Sequence, residues 1–281
     1  MKKIVIMGAT SGIGLRVAQI FAEMGWVVGA VGRNVAALNA LAGEEGSIQR
    51  SASEEISGEE GSTQGSASEE ISSVGSGNLG CAGRIVVEQV DVTREDAPEG
   101  LMRLVEKMGG MDVYLHVAGI WCANDELSGD VELRVLQTNV DGFTRMVDAA
   151  FGWMRDHNGG AGRIAAITSV AGTEGIGVMA SYSSSKAFQQ FYLRALDQYA
   201  REKRLKIRFT DIRPGWVRTP LLLAGGHYPM LMNVEKVAQS VVQAVLRGRR
   251  VAVIDGRWNV LVGLWRLIPH WLWVRLPIKP Y

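Results

Sequence analysis

The chain has 281 residues, a net charge of +1, 47% hydrophobic residues and 21% charged residues, a composition typical of a globular protein with a sizeable core. Its two cysteines, Cys81 and Cys122, lack CxxC or CxxH spacing, so we expect neither a disulfide framework nor a metal site, and the composition favours a cytoplasmic location. No basic block is interleaved with aromatic residues, which argues against a nucleic-acid partner.

Short β-branched runs alternate along the chain with amphipathic segments of helical length. Such alternation predicts strands that pair in parallel through right-handed crossovers. The predicted fold is an α/β domain over residues 1–256, with one doubly wound parallel sheet of about seven strands and helices on both faces. The predicted strands are 3–7, 26–31, 85–90, 112–117, 163–168, 207–212 and 250–254, and the main predicted helices are 13–24, 95–108, 130–155, 181–201 and 234–247.

One segment departs from this alternation. The stretch "EEGSIQRSASEEIS" (44–57) returns as "EEGSTQGSASEEIS" (59–72), and residues 44–80 hold eight glutamates and one arginine. A segment rich in Ser, Gly and Glu buries too little apolar area to offset the entropy of ordering it. We interpret 44–80 as a flexible acidic insertion within the domain. A tolerated insertion is favoured over a partner-binding loop, because surface loops accept extra length at low cost.

A glycine-rich turn follows the first predicted strand. The sequence "GATSGIG" (8–14) stands directly between that strand and a helix. Its glycines allow a tight turn and a close approach of a pyrophosphate to the backbone, and the helix offers unpaired N–H groups. The motif alone is weak evidence, but its position is the one that dinucleotide binding requires. The predicted cofactor contacts here are Gly8, Thr10, Ser11, Gly12, Ile13 and Gly14.

The stretch "YSSSK" places Tyr182 four residues before Lys186 on a predicted helix. Side chains at this spacing are neighbours, with Cβ atoms about 5–6 Å apart. An ammonium group so close to a phenol would make the phenolic proton easier to lose. The spacing alone leaves two interpretations open, a proton-transfer pair and two polar residues on a solvated helix face.

Taken together, these motifs resemble the short-chain dehydrogenase/reductase family. The spacing of the glycine turn matches the family's TGxxxGIG, with Met7 in place of threonine, and "HVAG" (116–119) stands where the family usually has NNAG. The motifs "TNV", "ITSVAG", "YSSSK" and "RPGWVRTP" then follow in the family's order. The resemblance implies a Rossmann-type fold and an NAD(P)-dependent oxidoreductase.

The resemblance also implies a catalytic tetrad of Asn139, Ser169, Tyr182 and Lys186. Tyr182 would be the general acid/base, and Lys186 would lower its pKa. Ser169 would hydrogen-bond the carbonyl oxygen of the substrate, and Asn139 would anchor a water that relays protons to Lys186. His116 has no carboxylate or serine arranged around it in the sequence, so a structural role is expected.

The cofactor choice follows from charge. An acidic residue at the end of the second strand would accept the ribose hydroxyl of NAD, yet residues 28–35 contain no acid. Arg33 and Asn34 can instead donate to a 2′-phosphate, so NADP (NADPH) is predicted and NAD is less favoured. The resemblance assigns the adenine ring to Asp91 and Val92. It assigns further cofactor contacts to Ala118, Gly119, Tyr182, Lys186, Pro214, Gly215, Val217 and Thr219.

An apolar substrate is the leading prediction. Residues 221–233 are mostly apolar and, with Trp121, Met179 and Trp216, they indicate a hydrophobic pocket for a lipid-like or steroid-like alcohol or ketone. Simple packing of this loop is the competing interpretation. A 3-oxoacyl thioester reductase and a non-catalytic NADP(H)-binding sensor or interaction protein remain as alternative functions.

The C-terminal segment, residues 257–281, holds four of the eight tryptophans together with interspersed arginines. The run is too short and broken to span a bilayer. It is interpreted either as a cover for the substrate pocket or a subunit interface, or as a peripheral contact of 257–276 with the inner face of a membrane. The family resemblance also implies a homodimer or homotetramer, packed through the helices at 130–155 and 181–201.

Overall fold

The structure is a computed structural model that describes residues 1–43, 83–222 and 226–278. Within these residues seven strands form one parallel sheet in the order β3-β2-β1-β4-β5-β6-β7. The predicted fold class is therefore confirmed, and the predicted acidic insertion at 44–80 lies outside the described residues. The strands are β1 Lys3–Met7, β2 Val27–Gly32, β3 Arg84–Gln89, β4 Val113–His116, β5 Ala161–Ile167, β6 Lys206–Arg213 and β7 Val251–Val253.

Helices cover both faces of this sheet. The helix predicted at 130–155 is two helices, α4 and α5, joined without a break by a π-helical segment at Gln137–Gly142. The second helix is described as far as residue 43. The helices are α1 Gly12–Glu23, α2 residues 35–43, α3 Ala97–Met108, α4 Gly129–Leu136, α5 Phe143–His157, α6 Ala180–Glu202, α7 Val234–Arg247, α8 Gly256–Trp265 and α9 His270–Trp273.

The central strand β1 is buried on both sides, which explains its continuous apolar sequence. Successive side chains of a strand point to opposite faces. Ile4 and Ile6 accordingly join one core cluster, which also contains residues of α1 and α7. Val5 and Met7 join a second cluster, which contains residues of α3 and α5. The sheet thus separates two apolar layers.

The direction of the crossovers reverses at β1. The chain moves outward from β1 through β2 to β3, and then returns to place β4 on the other side of β1. In an open parallel sheet, such a reversal opens a crevice at the carboxyl ends of the strands, where ligands bind. The segments that follow β1 and β4 meet there, since Met7 is in register with His116.

The C-terminal segment packs on the fold beside this edge. Trp265 and Trp273 contribute to a third apolar cluster that also includes Trp121, Ile176 and Met179. Within the described residues, no helix is both long enough and apolar enough to cross a membrane.

Candidate active site

A cavity of about 370 Å³ lies at the carboxyl ends of the strands. It brings together residues from the segments that follow six different strands, β1 to β6. Three of the predicted site residues, Gly14, Asn34 and Asn139, do not line it. The predicted residues that line it are Gly8, Thr10, Ser11, Gly12, Ile13, Arg33, Asp91, Val92, Ala118, Gly119, Ser169, Tyr182, Lys186, Pro214, Gly215, Val217 and Thr219.

The glycine turn has the shape of a cradle for a phosphate. Gly8 has a φ of +98°, and an added Cβ there would lie 2.6 Å from the backbone nitrogen of Ala118. Gly14 lies inside α1, where a Cβ would clash with the carbonyl oxygen of Gly8. Gly14 therefore brings the helix close to the turn instead of lining the cavity. The first N–H groups of α1 lie directly after this turn, and these residues fit a pyrophosphate.

The far end of the cavity carries an exposed cation. Arg33 follows β2, and its Nη1 lies 4.0 Å from Oδ2 of Asp91. Thr93 donates to Asp91 Oδ1 from its backbone nitrogen at 3.0 Å and from its hydroxyl at 2.8 Å. Burial acts to raise the pKa of Asp91, but the hydrogen bonds from Thr93 and the charge of Arg33 outweigh it and lower that pKa.

The side chain of Asn34 caps a helix. Its Oδ1 accepts a hydrogen bond from the backbone nitrogen of Ala37 at 3.1 Å. The side chain thus caps the first turn of α2 instead of lining the cavity. Among the two residues predicted to donate to a 2′-phosphate, the cavity is lined by Arg33 alone.

Ser169 and Tyr182 converge in the middle of the cavity. Ser169 follows β5, and its Oγ accepts a hydrogen bond from the backbone nitrogen of Ala171 at 3.1 Å. The hydroxyl group of Ser169 lies on the same side of the cavity as that of Tyr182, close enough to act on its pKa. Burial raises the pKa of Tyr182, and the neighbouring hydroxyl of Ser169 partly offsets that rise. A carbonyl oxygen placed between these hydroxyl groups would meet two hydrogen-bond donors.

Lys186 lies one helical turn below Tyr182 on α6. Its side chain is 4% exposed, and its Nζ is 5.7 Å from the centroid of the Tyr182 ring. The ammonium donates to the carbonyl oxygen of Ile167 at 3.1 Å and to Oε1 of Gln189 at 3.0 Å. Burial lowers the pKa of Lys186 to about 8, although the charge of Asp211 acts to raise it.

Asn139 lies in the π-helical segment and is fully buried. Its Oδ1 accepts from the backbone nitrogen of Ile120 and its Nδ2 donates to the Ile120 carbonyl, both at 2.9 Å. Nδ2 also donates to Oγ of Ser185 at 3.1 Å. The side chain therefore fixes the loop after β4 against α6, and the backbone carbonyl of Asn139 faces α6.

That carbonyl is bound by Gln189, a residue that the sequence analysis missed. Gln189 Nε2 donates to the carbonyl oxygen of Asn139 at 2.8 Å, while its Oε1 accepts from Lys186. One buried amide thus links Lys186 to the backbone of Asn139, the residue that the family resemblance assigns to anchoring a relay water. The available signal was the spacing, because Gln189 follows Lys186 by three residues and shares its face of α6.

A second buried polar group lies beyond the lysine. Asp211 and Arg213 on β6 form an ion pair of 2.5 Å, and both are buried. Thr168 donates to Oδ1 of Asp211 at 2.6 Å. The charge of Asp211 favours the ammonium form of Lys186. This network was not predicted, because the spacing of Asp211 and Arg213 places them on one face of β6 but does not show that this face is buried next to Lys186 and Thr168.

His116 is buried beneath the site. Its Nδ1 lies 2.9 Å from the hydroxyl of Tyr114, and its ring packs edge-on against Phe143 at 5.0 Å. Burial lowers the pKa of His116 to about 3, so the ring is neutral near pH 7. These contacts agree with the structural role expected from the sequence.

A second cavity, of about 200 Å³, opens beside Ser169 and Tyr182. Its walls are mostly apolar. Met179 and Trp216, predicted as pocket residues, line it, whereas Trp121 lines the larger cavity. The C-terminal segment closes one side of this space with Trp258, Leu261, Trp265 and Ile278.

Comparison with known proteins identifies the family. The model of the short chain dehydrogenase family matches residues 65–224, more than half of the chain. The chain belongs to this family. It is therefore an oxidoreductase by family, as the resemblance implied.

Several known proteins are similar in sequence to this chain. A farnesol dehydrogenase of Aedes aegypti is 28% identical over 262 residues, 90% of this chain and 93% of the relative. An uncharacterized oxidoreductase of Myxococcus xanthus (strain DK1622) is 29% identical over 188 residues, 64% of this chain and 72% of the relative.

Solved structures share the fold. A short-chain type dehydrogenase/reductase from Mycobacterium marinum has a TM-score of 0.73 at 24% identity, covering 92% of this chain and 95% of that one. An alcohol dehydrogenase from Thermococcus sibiricus, complexed with 5-hydroxy-NADP, has a TM-score of 0.69 at 21% identity, covering 90% and 95% of the two chains.

Proposed function

We propose that the chain is an NADP-dependent oxidoreductase that interconverts a secondary alcohol and a ketone, or an alcohol and an aldehyde, in its apolar cavity. One observation carries this proposal. Ser169 and Tyr182 line both the large cleft behind the glycine turn and the smaller apolar cavity. A substrate in the apolar cavity would therefore present its oxygen to both hydroxyl groups while its carbon faces the cleft.

The residues of the site have different roles in the proposed reaction. NADPH, when bound, supplies the hydride. Ser169 and Tyr182 hold the carbonyl oxygen, and Tyr182 gives that oxygen its phenolic proton in reduction and takes it back in oxidation. The ammonium of Lys186 stabilises the phenolate that Tyr182 becomes. Gln189 holds Lys186 toward the Asn139 carbonyl, so Gln189 and Asn139 are positioning residues.

The preference for NADP rests on charge at the ribose end. β2 ends at Gly32 without an acidic side chain, and Arg33 is exposed beside the cleft. A guanidinium group suits a phosphate, whereas NAD binding at this position usually involves a carboxylate. The complex of the Thermococcus sibiricus enzyme with 5-hydroxy-NADP supports this preference.

The substrate class rests on the second cavity. Met179, Trp216, Met230, Trp258 and Trp265 make its walls apolar, which favours a lipid-like or steroid-like substrate. The Aedes aegypti relative is named a farnesol dehydrogenase, which supports an apolar alcohol. A relative named acetoacetyl-CoA reductase, from Shinella zoogloeoides, is 30% identical over 143 residues. For this reason 3-oxoacyl thioesters are included among the substrates to be assayed.

The first experiment measures NADPH oxidation by absorbance with four substrate classes: isoprenoid aldehydes, ketosteroids, 3-oxoacyl thioesters and sugars. We expect turnover of an apolar class, and a loss of at least about 10³-fold in Tyr182→Phe, the upper part of the range for a general acid/base. NADPH binding, followed by fluorescence, is the control and should change little in this variant. Tight NADPH binding without turnover of any class would contradict the proposal and favour the sensor alternative.

The proposed assembly is a dimer or tetramer packed through α4, α5 and α6. Leu133 on α4 and Phe191 on α6 are exposed apolar side chains on these helices, which supports the proposal. Light scattering of the chain and of Leu133→Glu/Phe191→Glu tests it. A monomeric wild-type chain would contradict it.

A further inference from the structure

The C-terminal segment, residues 256–278, covers the apolar cavity, and we call this segment the roof. Its helix α8 has two apolar sides. Trp258 and Val262, four residues apart, are buried against the fold. Val260 and Leu264, also four residues apart, lie on the opposite side and are exposed. A helix of a globular protein usually has a polar outer side. The apolar outer side of α8 therefore indicates that a second apolar surface covers it.

The remainder of the roof repeats the arrangement. In α9, Trp273 points inward and its Nε1 donates to the carbonyl oxygen of Gly175 at 2.7 Å. Leu267, Trp271 and Val274 point away from the fold. Together with Val260 and Leu264, these side chains are between 55% and 77% exposed. We call these five side chains the outer apolar face.

The charges of the roof indicate what covers this face. Residues 256–278 contain three arginines and no aspartate or glutamate. Arg266 takes part in none of the ion pairs found among the described residues. The guanidinium of Arg275 lies 5.9 Å from the Trp271 ring centroid. Arginine next to exposed tryptophan suits the boundary between lipid headgroups and acyl chains.

A second copy of the chain fits the outer apolar face less well. In a two-fold symmetric contact the same patch faces itself, so Arg266 and Arg275 would meet arginines with no acidic residue of the roof between them. Anionic headgroups complement these charges instead.

We propose that the outer apolar face docks on the surface of a bilayer that contains anionic lipid. Val260, Leu264, Leu267, Trp271 and Val274 enter the headgroup and acyl boundary, and Arg266 and Arg275 lie at the phosphates. The inner side of the same roof lines the apolar cavity, which places that cavity next to the lipid surface. Docking does not depend on the reaction proposed above, so the two proposals fail independently.

The test is co-sedimentation of the full chain with vesicles of phosphatidylcholine alone and of phosphatidylcholine mixed with phosphatidylglycerol. We expect binding to the mixed vesicles, and at least about a ten-fold loss of that binding in Leu267→Ser/Trp271→Ser, because two exposed apolar anchors are removed. Arg266→Gln/Arg275→Gln should lose about thirty-fold on mixed vesicles, since each cation near an anionic surface contributes about five-fold.

The matched control is Met24→Ser/Val251→Ser, which removes two exposed apolar side chains outside the roof. It should bind vesicles like the wild type. NADPH binding verifies that every variant is folded. Equal sedimentation of the wild type and Leu267→Ser/Trp271→Ser would overturn the proposal. So would a wild-type dimer that binds no vesicles and becomes a monomer in that variant, because the outer apolar face would then be a contact between copies.

Discussion

Lys186 carries a charge at one of the most buried positions of α6. A pKa lowered from 10.5 to about 8 corresponds to roughly 3 kcal/mol against the ammonium form. The Ile167 carbonyl, the Gln189 amide oxygen and the charge of Asp211 each favour the ammonium and keep this cost from being larger. The buried ammonium of Lys186 is thus held by a small number of groups, each of which can be removed separately.

Gln189→Met removes one of these groups at nearly constant volume. Since the ammonium of Lys186 loses an acceptor, we expect the pKa of Lys186 to fall. The ammonium would then stabilise the Tyr182 phenolate less. The limb of the pH–rate profile that reports Tyr182 in alcohol oxidation should move to higher pH, and kcat near neutral pH should fall about ten-fold, as expected for a hydrogen bond to a charged group. KM for the cofactor should remain similar.

Gln198→Met is the control for this change, because Gln198 is an exposed glutamine on the same helix. It should leave the profile unchanged. An unaltered profile in Gln189→Met as well would contradict the positioning role.

Lys186 also makes stability depend on pH. Its pKa is lower in the folded chain than in the unfolded chain, so between about pH 8 and 10.5 the unfolded state binds more protons at this group. Stability from this group therefore rises across that window, and the cost of the buried charge is fully present below pH 8. We expect the melting temperature of the wild type, measured relative to that of Lys186→Met, to increase as pH rises from 8 to 10.5. A constant difference across this window would show that the lysine titrates normally.

At the scale of elements, the two helices of the roof are held together by a row of three tryptophan rings, here called the aromatic ladder. The rings of Trp258 and Trp265 are 6.4 Å apart, and those of Trp265 and Trp273 are 5.7 Å apart. Asp255 caps the start of α8 by accepting from the backbone nitrogen of Arg257 at 2.9 Å. These contacts lead α8 and α9 across the apolar cavity, beside the loop that precedes α6.

Trp273→Ala removes the last ring of this ladder and its hydrogen bond to Gly175. Because the roof would be less well fixed over the cavity, we expect KM for an apolar substrate to rise about ten-fold or more, which corresponds to the lost burial of part of one large side chain. The dissociation constant for NADPH should change little. Trp271→Ala is the matched control, since that ring is exposed on the same helix. A KM that responds equally to both changes would contradict this role of the roof.

At the scale of the whole molecule, the sequence predicted each strand to within two residues, because buried parallel strands are short continuous apolar runs. Most residues around the cleft were indicated by the family resemblance, whose motifs are short and occur in a fixed order. The π-helical segment was not predicted, because the helical periodicity continues through it. Gln189 and the Asp211–Arg213 pair were missed, because the spacing of residues shows which of them share a face of a helix or strand but not that this face is buried beside the cleft.

Residues 44–73 contain both copies of the acidic repeat, and all seven strands and every residue assigned to the cleft lie outside them. We propose that this insertion is accessory to the single domain. Removing 44–73 should leave the melting temperature and the turnover of the best substrate close to those of the full chain, because long surface loops add little entropy of closure. Loss of cooperative unfolding in the shortened chain would contradict the domain assignment.

The contact between Gly215 and Trp258 joins two parts of the molecule that have been described separately. Gly215 lies in the stretch beside the cofactor cleft, and a Cβ at this position would overlap the indole of Trp258 in the roof. The sizes of these two side chains are consequently interdependent. Gly215→Ala alone should lift the roof, whereas the same change combined with Trp258→Leu should be tolerated. The two changes would then show a favourable coupling energy in a double-mutant cycle, so redesign of substrate preference through the roof has to include the cofactor stretch.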